Sequence, residues 1–177
     1  LPADAPEQVA ATLKAAFGLE RVDDAFEGLD LARPIASASV AQVHVCRLRA
    51  PFDAALPAGA RESSGGLVAI KVQHAGVDAL MRADVARAIR IAELVTRWHA
   101  SFAPLLQTLV AWRGALDDEL DFRAEVAHMR RAAASLARSG ARARVARPAS
   151  PASQFVARTA FVMEFVPGCF KLTDALR

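Results

Sequence analysis

The sequence predicts an α+β domain, a small antiparallel sheet flanked by helices, and three observations carry that expectation. Two runs rich in β-branched residues with period-two alternation, residues 40–46 and Leu67–Gln73, stand close together in the first half. A longer region, from about residue 78 to 137, repeats its apolar residues at spacings of three and four. A third apolar run, residues 159–166, is stopped by Pro167 and Gly168. No internal repeat is visible.

Each element has its own signal. Pro6 opens a first helix and Gly18 closes it, with Val9, Leu13, Ala16 and Phe17 on one face. A short segment over residues 22–26 then leads to Pro34. The first strand is V-A-Q-V-H-V-C. Residues 51–66 hold Pro51, Pro57, Gly59, Ser63, Ser64, Gly65 and Gly66, which predicts an exposed, flexible insert longer than a tight hairpin needs. In the second strand Val68, Ile70 and Val72 alternate with Ala69, Lys71 and Gln73. Met81, Val85, Ile89, Ala92 and Val95 mark a helix over about residues 78–100, and Pro104 ends it and begins the next. Leu105, Leu109, Trp112, Leu116, Leu120 and Met129 place one further helical region as far as about residue 137. Residues 140–151, with Arg142, Arg144 and Arg147 among small residues, read as a solvated linker.

Bulk properties narrow the class. At 177 residues, 54% apolar and 23% charged, the chain can bury a core and is not disordered as a whole. Its net charge of +3 comes almost entirely from arginine, since Lys14, Lys71 and Lys171 are the only lysines. Aromatics are few, tyrosine is absent and no basic-aromatic interleaving occurs, which argues against a nucleic-acid partner. Cys46 and Cys169 lie far apart with no companions at metal-ligand spacing, so neither a zinc site nor a disulfide framework is expected. The longest uncharged stretch, Trp98–Trp112, is too short and too polar to span a bilayer. The start at Leu1 reads as a fragment boundary, which would leave any targeting segment outside the chain.

Four motifs carry chemistry. V-A-I-K ends in Lys71, mid-strand and on the face away from Val68, Ile70 and Val72. An ammonium there needs a partner, and in protein kinases this pattern supplies the lysine that contacts the α/β-phosphates; an amphipathic strand with its lysine in water fits the same residues. About thirty residues earlier, Ala36, Ser37, Ala38 and Ser39 form a loop of small residues that lets backbone N–H groups approach a phosphate. Each Cβ restricts positive φ, so the loop should be stiffer than a glycine loop; a plain turn is the alternative. In E-L-D-F-R-A-E, read as one helix, Glu119 and Arg123 stand at i,i+4, and Asp121 and Glu125 share a face. A carboxylate from this helix can reach Lys71, or the motif can be an ordinary charged surface. Finally, V-M-E-F-V-P-G, starting at Val162, is an apolar strand running into a stop, as a lobe linker or any edge strand would.

Taken together and in this order, P-I-A-S-A-S-V-A-Q-V-H, V-A-I-K-V-Q-H, E-L-D-F-x-x-E and V-M-E-F-V-P-G resemble the ABC1/UbiB (ADCK-type) atypical kinases, over roughly residues 10–170. The resemblance implies the N-terminal lobe of a protein-kinase-like fold, an expected ATP or ADP ligand, and Mg²⁺. It implies Lys71 as the phosphate-contacting lysine and Glu125 as its helix partner. Ala36 to Ser39 would stand over the phosphates, with Val43 and Met163 at the adenine, and Glu164 and Val166 would offer backbone groups to its edge. Glu119 and Asp121 match the family's E-x-D pair. The family is associated with ubiquinone and isoprenoid-lipid metabolism in bacteria, mitochondria and plastids, which makes lipid or quinone precursors, or a membrane surface, expected partners.

Departures from the pattern qualify the expectation. K-x-G-Q upstream of the first helix has no match, nor has the catalytic-loop Asp/Asn or D-F-G; Asp174 is the one late candidate. The insert over residues 51–66 exceeds the family's usual strand connection. The chain therefore reads as a partial domain (residues 1–177) whose Mg²⁺ ligands and C-terminal lobe lie elsewhere. A non-catalytic pseudokinase scaffold, using the helices between Asp78 and Leu136 to bind lipid or a partner protein, is the alternative.

Overall fold

The structure is a computed structural model and describes residues 2–57, 59–60, 64–140, 142–143, 145–150 and 152–168. Cys169, Asp174, Lys171, Ser63 and Arg144 lie outside the described residues.

Apolar period and punctuation place the elements near where the sequence puts them. Helix α1 is Pro6–Phe17, begun by proline and ended by Gly18 in the left-handed conformation at φ 65°. A single 3₁₀ turn, Val22–Asp24, leads to the two-residue strand β1, Phe26–Glu27. Strand β2 is Ala36–Ser37, β3 is Ala41–Leu48 and β4 is Leu67–Gln73. Helix α2 is Val77–Trp98, α3 Ala103–Glu119 and α4 Phe122–Ser139, and β5 is Ala160–Glu164.

The strands form one five-stranded antiparallel sheet in the order β1-β3-β4-β5, with β2 also pairing with β3. Register sorts its side chains, because directly opposed residues share a face. Val43 opposes Lys71, which opposes Phe161, and Val45 opposes Ala69, which opposes Met163. These residues look to one face. His44, Ile70 and Val162 oppose one another on the other face, as do Cys46, Val68 and Glu164.

Helix α1 covers the second face. Val9, Leu13 and Phe17 pack there with Cys46, Val68, Ile70, Val72 and Val162 in the main core. Phe155 sits at its centre, 5.2 Å from the Phe17 ring, 5.7 Å from Phe26 and 5.5 Å from Phe52, in edge-on geometries. The first face is covered by α4 through Phe122 and Val126, which pack on Ala41 and Phe161. Helices α2 and α3 make a hairpin with its own cluster of Val77, Val85, Ile89, Leu116 and Leu120.

Three expectations are corrected. The region after Pro104 is two helices, not one: α3 ends at Glu119 and α4 begins at Phe122, with Asp121 as its N-cap. The cap is stronger than helix continuation here because the Asp121 carboxylate accepts from the Arg123 N–H at 2.9 Å. The insert over residues 51–66 is not simply exposed: Leu56, Ala60 and Ser64 are buried, and Phe52 packs on Phe155 from a 3₁₀ turn, Phe52–Ala55. Apolar Phe52, Leu56 and Ala60 each cover core surface, which composition dominated by Pro, Gly and Ser concealed. Arg147 is not part of a solvated linker, since its guanidinium clasps the buried Glu164 carboxylate at 3.0 and 3.2 Å.

Candidate functional site

The site grows from one strand and one helix corner. Alternation in β4 delivers Lys71 to the face that α4 covers, while Val68, Ile70 and Val72 fill the main core. The corner between α3 and α4 is fixed by two hydrogen bonds. Gln73 Nε2 donates to the buried Leu120 carbonyl at 3.0 Å, and the Phe122 N–H donates to the Arg158 carbonyl at 3.0 Å. Held this way, the first turn of α4 points Glu125 at the sheet, close to the helix N-terminus where a carboxylate is favoured.

Lys71 Nζ meets both Glu125 oxygens, at 2.6 and 2.7 Å. It also stands 4.8 Å above the Phe122 ring and 6.0 Å from the Phe161 ring, cation–π contacts that cover the ammonium without competing for its protons. Both partners remain partly open, with side chains 26% and 39% exposed. The pair is accordingly a positioned charge at a surface. Its third ammonium donor direction has no need of Glu125 and can meet an anion.

Around it the first face carries small and apolar groups. Val43 opposes Lys71, and Met163 opposes Ala69, so Val43, Ala69 and Met163 border the lysine on three neighbouring strands. Ala69 went unremarked in the sequence as anything but an alternating residue, and only the register assigns it to this face. Phe122 was equally hidden, because its place depends on the break before α4.

Ala36, Ser37, Ala38 and Ser39 form the tip of a hairpin against β3. Ala36 opposes Val43 and Ser37 opposes Gln42, and all four residues are exposed. None has positive φ, as the β-carbons require. The Ala38 N–H is given to the Ala41 carbonyl at 2.8 Å and the Ile35 N–H to the Val43 carbonyl at 2.8 Å. The loop is thus held by its own ladder, and these two amides already have partners.

The acidic motif does not act as one helical face. Glu119 is the last residue of α3, and with Asp118, Ala124, Glu125 and His128 it lines a shallow cavity of about 190 Å³ beside the ion pair. The expected Glu119–Arg123 pairing is replaced, because the break turns Arg123 to Asp121, Nη2 to Oδ2 at 2.6 Å. That guanidinium holds the Asp121 carboxyl below the usual carboxylate range. Asp121 caps α4 and lies outside the helix face that carries Glu125.

At the end of β5, Glu164 turns its side chain to the opposite face, fully buried against Arg147, and its N–H is given to the Arg147 carbonyl at 2.8 Å. Val166 follows, half-buried, just past the strand. Cys46 is buried in the main core, its thiol pushed up to about 12 by that burial, which leaves it inert at neutral pH. Among the described residues, no group of three or more His, Cys, Asp or Glu side chains is placed to hold a metal ion, and no helix is long and apolar enough to cross a membrane.

Residues 1–176 match the family model of the ABC1 atypical kinase-like domain. A protein of Azotobacter vinelandii named "Probable protein kinase UbiB" is 33% identical over 125 residues, 70% of this chain. The match covers 20% of that protein, so the chain spans about a fifth of the length of the curated relative it matches. With the helix-corner glutamate on the strand lysine, and a match over nearly its full length, the chain belongs to the ABC1 atypical kinase-like family.

Proposed function

We propose that this chain is the nucleotide-binding portion of an atypical kinase or ATPase. The observation that carries the reading is the two-oxygen clasp of Glu125 on Lys71, on the sheet face where Val43, Ala69 and Met163 stand together. A nucleotide joins a flat apolar ring to a polyanion, and this face offers one surface for each. Lys71, fixed by Glu125 and by the Phe122 ring, orients the α/β-phosphates. Val43, Ala69 and Met163 take the adenine ring, and the backbone of Glu164 and Val166 borders its edge.

The described residues suit ATP or ADP, and among them no cluster supplies a full Mg²⁺ shell, which needs several oxygens near octahedral geometry. The proposal therefore takes the metal ligands from outside this chain. A bound Mg²⁺ would neutralise phosphate charge; Lys71 and Glu125 would position the phosphates whether or not the metal is there. A role in ubiquinone or isoprenoid-lipid metabolism rests on the family resemblance.

The test is nucleotide-dependent stabilisation of the protein that carries this domain. At a hundred times Kd, ATP or ADP should add about 2.7 kcal/mol, seen as a clear rise in Tm. Lys71→Ala should abolish the rise and Glu125→Gln should reduce it. An unchanged Tm in the parent protein at millimolar ATP and ADP would reject the reading.

A second reading has one observation in its favour. Ile91, Leu94 and Trp98 of α2 are 64, 57 and 79% exposed, and Phe102, Leu105 and Trp112 nearby are 44, 49 and 45% exposed. Such a surface suits a scaffold that binds lipid or a partner protein. Vesicle binding that survives Lys71→Ala and needs no nucleotide would favour it.

A further inference from the structure

Below the hairpin that carries Ala38, just past the β4 end nearer Lys71, a buried histidine has two acceptors and one ring. His74 follows β4 directly and is 3% exposed. Its Nδ1 lies 3.0 Å from Asp4 Oδ1, and its Nε2 lies 3.0 Å from the Ala38 carbonyl and 3.5 Å from Ser37 Oγ. A carboxylate and a carbonyl only accept. Both short bonds therefore form together only when the ring carries a proton on each nitrogen, and Asp4 is the charged group that faces it. Asp4 is itself anchored, since Oδ2 accepts from the Ala75 N–H at 2.8 Å.

The anchoring continues into the sheet. The Asp4 N–H donates to Gln42 Oε1 at 2.9 Å, which fixes that amide so that Nε2 donates to His44 Nε2 at 3.0 Å. His44 Nδ1 then donates to the Asp30 carbonyl at 2.9 Å. Every donor direction in the chain follows from the Asp4 N–H, and each link is buried or partly buried. Asp30, ahead of the alanine-rich loop, and Ala38, within it, are thereby tied to one residue ahead of α1. Lys71 takes no part in the network, which occupies the strand ends and the opposite face.

We propose that His74 is the positioning residue of the Ala38 loop and that Asp4 sets the loop's pose through it, so that the segment before α1 tunes how nucleotide phosphates are received. The proposal rests on the nucleotide reading above. His74 touches no substrate; it acts by holding the Ala38 carbonyl, and with it the hairpin tip, toward the sheet. Losing the Asp4 contact frees the ring.

The test uses the full-length protein with His74→Gln and Asp4→Asn, read two ways. Hydrogen exchange of the peptide covering residues 35–41 reports loop anchoring without nucleotide. ATP and ADP affinities report its consequence. Both variants should exchange faster there and bind roughly threefold to tenfold more weakly, the scale of one hydrogen bond. Should His74→Gln fail to fold, Asp4→Asn alone carries both readouts. Parent-like exchange and affinity in the variants, with Lys71→Ala still unable to bind, would overturn the tether and leave the nucleotide reading standing. A parent protein that binds no better than Lys71→Ala would overturn both.

Discussion

Gln73 and Leu120 are joined by a hydrogen bond, amide Nε2 to carbonyl oxygen at 3.0 Å, that ties the last residue of β4 to the corner before α4. Leu120 is fully buried, so its carbonyl has no solvent to fall back on. Gln73→Leu should destabilise the fold by about 1–3 kcal/mol, the cost of a buried unsatisfied carbonyl. Because the same corner aims Glu125 at Lys71, nucleotide affinity should fall as well, although neither substituted atom touches the site. Chemical denaturation and a nucleotide titration on one variant check both effects; a loss of stability with unchanged affinity would separate the corner from the pair.

Arg147 and Glu164 form an ion pair, Nε to Oε2 at 3.0 Å. The carboxylate is wholly enclosed and the guanidinium 37% exposed. Removing the arginine side chain takes a cation from a buried carboxylate, which costs about 3–5 kcal/mol when both partners are inside; partial exposure of Arg147 lets solvent screen the pair, so about 2 kcal/mol is expected for Arg147→Met. Changing Glu164 to Gln in the same chain should recover much of the loss. A double-mutant cycle by urea denaturation measures it, and strictly additive effects would refute the coupling.

How much was legible follows from what each signal depends on. Strand β4 matches its sequence boundaries, Leu67–Gln73, because alternation and glycines on one side leave little freedom. Lys71 and Glu125 were named from motif and family resemblance, and they meet at 2.6 Å. The break at Leu120 and Asp121 was missed because the apolar spacing runs through it; the signal was there in Asp121 as a helix-capping residue, outweighed by periodicity. Leu56 and Ala60 were hidden by the prolines and glycines around them. His74 and Gln73 stood in the quoted V-Q-H, but a hydrogen bond across 36 or 47 residues leaves no trace in local spacing.

His44 gives the fold an acid limit. Burial lowers its pKa below the ordinary 6.5, opposed by the Asp30 carbonyl it donates to. Gln42 Nε2 donates to its other nitrogen, so the fold holds the neutral ring. A depressed folded pKa means stability is fully present above 6.5 and lost as pH falls through the folded value. Thermal unfolding followed from pH 7.5 down to 5 should show Tm falling, and His44→Asn should flatten part of that slope. An equal slope in the variant would assign the acid sensitivity to other groups.

Ala38→Gly tests whether loop stiffness sets the phosphate pose. Ala38 sits at the hairpin tip with negative φ, its N–H held by Ala41 and its carbonyl by His74. Glycine keeps both backbone bonds but opens the positive-φ region and adds freedom to the unfolded chain, which should cost about 0.4–1 kcal/mol of stability. The larger effect should be on recognition. A loop able to reach left-handed conformations can turn more amides toward a polyphosphate, as glycine loops do, so ATP and ADP affinities should change unequally, by about threefold or more in their ratio, a difference of roughly 0.7 kcal/mol. Titration of the parent protein and the variant with each nucleotide, alongside Lys71→Ala as the non-binding control, measures the ratio directly. Faster exchange in the loop with an unchanged ATP:ADP ratio would mean that Lys71 and Glu125 alone position the phosphates and that the alanines serve the hairpin.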